Sequence, residues 1–310
     1  MKLSPVVLAK AGLLTAALLT AGCGTAGAGS LGPAPAGGPT EVKSPSPAAS
    51  SAASPTQSAG GSHSAPAAPT SSPAGQTSLQ AWFTRGGKLF VTPRVVPATD
   101  AVARAAIGAV LAGPSAAEQA AGLRSRIPAG TDLLGVRIFR GIATVDLSSA
   151  FESSASAASM PLRLAQIVYT VTQFPSVRGV RFSIDGQGVT VVGGIPVQRP
   201  QTRAMDSGYL PAIIVQSPTI GEQVASAVTV AGTADVFEAT VSIRVLDSSG
   251  HEIARTFTTA TCGTGCRGDY SVAVTYSVRR TQPGVIEVFE SSAENGKPIK
   301  VQRIPVTLAA

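Results

Sequence analysis

Val136-Arg137-Ile138-Phe139-Arg140-Gly141-Ile142-Ala143-Thr144-Val145 decides how the first folded region is read. Apolar and polar residues alternate on both sides of Arg140-Gly141, the pattern of two strands joined by a tight turn. Upstream, residues 79–83 and 88–91 read as two short strands around Arg85-Gly86-Gly87. Between these hairpins, Thr99 or Asp100 is expected to cap a helix over 101–112. Val102, Ala106, Ala109 and Val110 give it helical spacing, and Gly113-Pro114 stops it. A second helix starts at Pro161, a residue favoured in the first turn, and carries the stripe Leu164, Ile167, Val168, Val171 and Phe174. Residues 180–184, the turn Asp185-Gly186 and residues 189–192 make a last hairpin. This order predicts an α+β domain over 78–203, an antiparallel sheet with two helices on one face.

Beyond Arg203 the texture changes. Residues 213–215, 228–231, 241–245, 253–257, 270–274, 285–289 and 301–307 are short, mostly alternating runs. Ser248-Ser249-Gly250, Gly263-Thr264-Gly265 and Asn295-Gly296 separate some of them as turns. Seven such runs predict an all-β immunoglobulin-like sandwich over 211–310. Pro200, Gly208 and Pro211 mark the boundary.

Ahead of both regions the chain has a different character. Lys2 and Lys10 are the only charges before Cys23, and they flank apolar runs that end in small residues, as in a secretion signal over 1–22. Residues 11–19 are about half of what a spanning helix needs. Residues 23–77 are Ala, Ser, Gly, Pro and Thr with little else, so they are expected to remain a disordered spacer with a reach of roughly 40 Å. Its Ser, Thr and Pro content is compatible with O-glycosylation. Removing the two signal lysines takes the formal charge from +7 to 7 − 2 = +5.

Leu19-Thr20-Ala21-Gly22-Cys23 resembles the lipobox of bacterial lipoproteins, with Thr20 where Leu is usual. That resemblance implies diacylglycerol on the Cys23 sulfur, cleavage before it, and an anchor on the outer face of the cell membrane. An ordinary secretion signal cut nearby is the alternative. The run Ala112-Gly113-Pro114, Leu123, Ile127-Pro128-Ala129-Gly130-Thr131, Leu134-Gly135-Val136 and 141–148, ending at Phe151, resembles the sporulation and germination domain called GerMN. Ile214-Val215-Gln216-Ser217-Pro218 and Val230-Ala231-Gly232-Thr233-Ala234 resemble the immunoglobulin-like domain of bacterial spore germination proteins. The pairing implies an envelope-associated, non-enzymatic module. Abundant alanine, and arginine in excess over lysine, point to a GC-rich genome such as an actinobacterium's.

The chemistry of the side chains narrows the function further. His63 falls in the spacer and His251 after a turn, so a general base oriented by a packed shell is not expected. Cys262 and Cys266 are expected to form a disulfide, which in an oxidising compartment fixes one loop. Free thiols are one alternative. A metal site is another, but a second ligand pair is missing, and neither metal nor cofactor is expected. Asp132, Asp146, Glu152 and Asp185 are the carboxylates from which a peptidoglycan hydrolase would draw a pair, the alternative to a binding protein.

Charge is unevenly shared. Residues 78–203 hold 13 Lys and Arg against 6 acids, 13 − 6 = +7, while 204–310 hold 8 against 10, 8 − 10 = −2. Arg85, Lys88, Arg124, Arg126, Arg137 and Arg140 are the candidate contacts for an anionic partner, either a wall polymer or an acidic envelope protein. A scattered solvated surface is the alternative. Nucleic acid is not expected, since no motif for it accompanies the charge. Trp82 reads as a core or sheet-face residue, with sugar stacking as the alternative. The function expected is a lipid-anchored extracytoplasmic scaffold.

Overall fold

The computed structural model describes residues 75–153 and 159–310, all within one compact unit spanning 63–310. The signal segment, Cys23, His63 and the spacer up to residue 74 lie outside the described residues. No helix among the described residues is long and apolar enough to cross a membrane.

The first domain opens with β1 (Gln76–Arg85) and β2 (Lys88–Pro97), paired antiparallel in a register that sets Phe83 opposite Phe90 and Trp82 opposite Val91. Both faces of this hairpin are covered, because its apolar residues do not alternate: Ala81, Trp82 and Phe83 are all buried. Next come α1 (Val102–Leu111) and α2 (Ala116–Ala120), then β3 (Leu133–Phe139) and β4 (Ile142–Leu147). After α3 (Met160–Val171) follow β5 (Gly179–Ile184) and the short β6 (Gln187–Gly188). A further small hairpin joins β7 (Val191–Val192) to β8 (Ile195–Pro196).

The main sheet has the order β3-β4-β5-β6. Its hairpins are antiparallel, but β4 and β5 run parallel, since the chain crosses from one to the other through α3. The α+β expectation holds with this change in one pairing. Arg140 and Gly141 carry the β3–β4 turn at φ +48° and +82°, the two-residue conformation that suits a twisted hairpin.

α3 explains the layering. From Leu162 to Val171 every one of its residues is buried, as is Met160. A helix covered all round must be enclosed, so it has no solvent stripe. Leu164, Ile167, Val168 and Val171 join Val145, Leu147 and Phe182 in the main core, while Leu162, Ala165 and Tyr169 pack with Trp82, Leu89 and Val91 of the hairpin. Two of its three buried polar residues are satisfied by backbone of the hairpin: Gln166 Nε2 donates to the Trp82 carbonyl at 2.9 Å, and Thr170 Oγ1 accepts from Trp82 N at 3.3 Å. The third, Arg163, donates from Nη1 to the carbonyls of Phe151 and Ser153. The first helix differs in detail from expectation. Ala101 precedes it without a side-chain cap, Thr99 Oγ1 instead accepting from Ala101 N, and the buried stripe is Ala103, Ala106, Ile107 and Val110. The unanticipated α2 is started by a capping box between Ser115 and Glu118.

The second domain contains β9 (Ile213–Ser217), β10 (Gln223–Val224), β11 (Val228–Ala234), β12 (Thr240–Leu246), β13 (Glu252–Thr259), β14 (Gly268–Val274), β15 (Gln282–Ser291) and β16 (Pro298–Leu308). Each of the seven runs read from sequence is one of these strands, and β10 is the addition. They form two sheets, β10-β16-β15-β12-β13 and β14-β11-β9, enclosing Val230, Ile243, Val245, Ile286, Val288 and Ile304. Gly232 sits at a bulge where a β-carbon would lie 1.9 Å from the Ile214 carbonyl oxygen, so no larger residue fits between β11 and β9. Cys262 and Cys266 are joined as a disulfide, with Cα atoms 5.8 Å apart.

The two domains meet along the hairpin. Ile214 of β9 packs into the cluster of Trp82, Leu89, Val91, Leu162, Ala165 and Tyr169, flanked by Tyr209 and Leu210 of the connecting segment. Trp82, only 3% exposed, is therefore a core residue of this seam.

Candidate functional site

The main sheet of the first domain has one covered face and one open face. Ala143, Val145 and Leu147 of β4 point to the core, which leaves Ile142, Thr144 and Asp146 on the other side. Cross-strand partners share a face, so the pairing registers define what surrounds them. Arg137, Thr144 and Arg181 form one rung across β3, β4 and β5; Phe139, Ile142 and Gly179 form the next; Gly135, Asp146 and Ser183 form the one on the other side. The two arginines of the central rung are two strand spacings apart, roughly 10 Å at the backbone.

Two further arginines close this group. Arg140, in the β3–β4 turn, has its guanidinium 5.1 Å from the centre of the Phe139 ring, and Phe139 is 67% exposed. Arg178 donates from Nη2 to the Arg140 carbonyl at 3.3 Å, and its backbone N–H donates to the Gly141 carbonyl at 2.7 Å. None of Arg137, Arg140, Arg178 and Arg181 lies within 4 Å of a carboxylate among the described residues. The one acid of the face, Asp146, accepts from Gly186 N at 3.0 Å. A shallow groove of about 350 Å³ runs past Arg137, Thr144, Asp146 and Ser183, opened by the missing side chain of Gly135. An exposed aromatic ring with Arg140 beside it, on a face where Arg137, Arg178 and Arg181 outnumber the one acid Asp146, attracts anions.

The six basic residues singled out from sequence do not share one surface. Arg137 and Arg140 belong to the open face, and Arg126 is exposed on the loop before Ile127. Arg124 turns back on its own segment, donating to the carbonyls of Gln119 and Leu123, each at 2.7 Å. Arg85 and Lys88 reach the second domain. Arg85 donates to the Arg303 carbonyl at 2.9 Å and to Gln302 Oε1 at 2.8 Å, and stacks 4.3 Å from the Phe90 ring centre. Burial lowers its pKa. Lys88 Nζ donates to the Gly208 carbonyl at 2.7 Å. Arg178 and Arg181 escaped the sequence reading, although Arg181 in the run Gly179-Val180-Arg181-Phe182 carried the alternation that would place it outward.

Three of the four carboxylates considered for hydrolysis accept backbone N–H groups of loops. Asp185 Oδ1 accepts from Ser149 N at 3.1 Å, Glu152 Oε1 from Gly193 N at 2.7 Å, and Asp146 from Gly186 as above. Asp132 donates from its backbone N–H to Ser148 Oγ at 2.9 Å. Among the described residues no three His, Cys, Asp or Glu side chains assemble as a metal-ligand group.

An α+β domain with an open arginine-bearing sheet face, packed on a β-sandwich, defines a two-domain body built to present surfaces. Residues 82–190 match the family model Germane, "Sporulation and spore germination", and residues 212–297 match Gmad2, "Immunoglobulin-like domain of bacterial spore germination". The chain thus carries a Germane domain followed by a Gmad2 domain, the architecture of envelope-associated, non-catalytic germination-type proteins. No curated protein matches the sequence. Among solved structures, a candidate lipoprotein from Clostridium perfringens is similar at 26% identity and TM-score 0.32, over 42% of this chain and 89% of its own. The first GerMN domain of the sporulation protein GerM from Bacillus subtilis is similar at 20% identity and TM-score 0.34, over 41% of this chain and 98% of its own. For the tandem GerMN domains of that protein the values are 16% and 0.37, over 66% of this chain and 62% of that one.

Proposed function

We propose that this protein is a lipid-anchored binding protein of the outer membrane face, tethered through Cys23, and that its first domain grips an anionic wall polymer. The observation that carries the reading is the Arg137–Thr144–Arg181 rung with Arg140 and Arg178 beside it, a positive face with no carboxylate in ion-pair range among the described residues. Guanidiniums spaced along a flat sheet suit successive phosphate or carboxylate groups of an extended chain, which each can meet with a forked pair of N–H donors. The lipobox resemblance at Cys23 supports the anchor, and the spacer that follows it supplies the reach. The Cys262–Cys266 disulfide fits an oxidising compartment.

The experiment is co-sedimentation of the full chain with purified cell wall. Binding should fall steeply as salt rises, because exposed charges are screened beyond about 8–10 Å at ordinary ionic strength. The double variant Arg137→Glu with Arg181→Glu should remain folded and stay in the supernatant. Undiminished binding by that variant rejects the arginine face as the grip. Release of soluble wall fragments by the native protein, abolished in Asp146→Asn, rejects the non-catalytic reading. Metabolic labelling with a fatty acid, lost in Cys23→Ser, tests the anchor.

A further inference from the structure

A second basic site lies where the domains meet, remote in the fold from the sheet face and owing nothing to it. A cleft of about 490 Å³ opens between the hairpin, α3 and β9. Two arginines line it, Arg203 from the connecting segment and Arg267 from just before β14, together with Trp82, Tyr169, Gln216 and Thr233.

Both guanidiniums are partly buried, and burial lowers the pKa of each. A cation withdrawn from water is ordinarily met by a carboxylate. Here neither has one within 4 Å among the described residues. Asp235 acts on Arg267 only beyond that range, and its Oδ1 accepts from Gly265 N. Backbone and hydroxyl groups hold the two side chains in place instead. Arg203 donates from Nε to Thr172 Oγ1 and from Nη2 to the Tyr169 carbonyl, both at 2.9 Å. Its plane lies 4.9 Å from the Tyr169 ring centre and 5.7 Å from that of Trp82. Arg267 donates from Nη2 to the Pro211 carbonyl at 2.7 Å and from Nη1 to the carbonyls of Ala212 and Thr233. These contacts fix the guanidiniums and leave Arg203 Nη1 and Arg267 Nε without an acceptor among the described residues. Trp82, lining the same cleft at 3% exposure, holds a buried indole Nε1–H with no acceptor among the described residues. Two positioned positive charges and unmatched donors around one cavity are what an oxyanion requires.

We propose that this interdomain cleft binds a small ligand bearing a carboxylate or phosphate group, held by Arg203 and Arg267. Ligand seated there touches both domains and so couples them.

Trp82 is the only tryptophan of the chain, so its fluorescence reports on this cleft alone. The full chain is titrated at constant ionic strength with inorganic phosphate, with glucuronate, and with neutral glucose. A saturable change with phosphate or glucuronate and none with glucose is expected, and which of the two acts identifies the oxyanion. Affinity should drop about tenfold or more in Arg267→Gln and stay unchanged in Arg104→Gln, exposed on α1. Should Arg267→Gln loosen the fold, Arg203→Lys decides, since it keeps the charge but loses the fork and should weaken binding by several-fold. No saturable change with either anion up to about 10 mM, or equal affinity in native protein and the variants of Arg267 and Arg203, overturns the site. Because wall sedimentation reads the sheet face and fluorescence reads the cleft, one can fail while the other stands.

Discussion

Each domain carries a rung of side chains with arginine on both outer strands, and the residue between them differs. In the second domain the rung is Arg244–Glu287–Arg303 across β12, β15 and β16; in the first it is Arg137–Thr144–Arg181. Glu287 is 2% exposed and pairs with Arg244 at 2.6 Å and Arg303 at 3.2 Å. Glu252 adds pairs with Arg244 at 3.6 Å and Arg255 at 2.6 Å, and Glu290 pairs with Lys300 at 2.7 Å. Among the described residues the first domain has a single ion pair, Arg94 with Glu118 at 2.6 Å. The second domain therefore neutralises the cations of this sheet, Arg244, Arg255, Lys300 and Arg303, internally. The first leaves most of its cations facing outward, where their field acts on a partner.

The largest test of this contrast is Glu287→Gln. It removes the buried carboxylate shared by Arg244 and Arg303, leaving Arg244 only the longer contact to Glu252 at 3.6 Å, and unfolding by urea should show a loss of about 3 kcal/mol. The equivalent change in the first domain, Glu118→Gln, should cost about 2 kcal/mol. Burial by itself raises the Glu118 carboxyl, but hydrogen bonds from Arg94, Thr92 and Ser115 N outweigh it and hold the pKa below the usual range. A depressed acid stabilises the fold above its unfolded pKa, near 4.3. That stability is lost as pH falls through the lower folded value, and E118Q should abolish this part of the acid transition.

Asp206, in the connecting segment, shows the opposite sign. Burial pushes its carboxyl up to about 6, and its Oδ2 has no hydrogen-bond partner among the described residues. The unfolded chain ionises near pH 3.9, so stability declines as pH rises from about 4 to 6 and stays lower at neutrality. Asp206→Asn should raise stability at pH 7.5 by on the order of 1–2 kcal/mol, measured by thermal unfolding, with no gain below about pH 4. The smallest expected effect on stability comes from Thr144→Glu, which copies the second domain's rung into the first. A carboxylate between exposed arginines should change unfolding by less than about 1 kcal/mol. Wall sedimentation should nevertheless drop, because the face would no longer be uncompensated. Undiminished sedimentation there would break the comparison.

The hairpins and the sandwich were legible because their signals are local. Arg140-Gly141 and Asp185-Gly186 turn where the alternation says they must, although the arm after Asp185-Gly186 is Gln187–Gly188 and residues 191–192, expected in that arm, pair with 195–196 instead. Seven alternating runs become seven strands. The signal for α2, Ser115 followed three residues later by Glu118, was equally local. What stayed hidden was pairing between distant segments. Arg181 joins Arg137 only because β5 lies parallel to β4, with α3 between them in the chain. Arg85 and Lys88 looked free because nothing near them in sequence shows that their tips reach Arg303 and Gly208.

By itself, then, the amino-acid order determined where the longer strands and helices form, where the compositional boundaries fall, and that the positive charge belongs to the first domain. These follow from side-chain periodicity and turn stereochemistry, which act over a few residues. Tertiary structure alone decided which arginines stand together, which are held at the domain junction, and that Arg203 and Arg267 share a cleft. Proximity across a sheet or a domain seam depends on register and packing between segments far apart in the chain, and no local pattern encodes it.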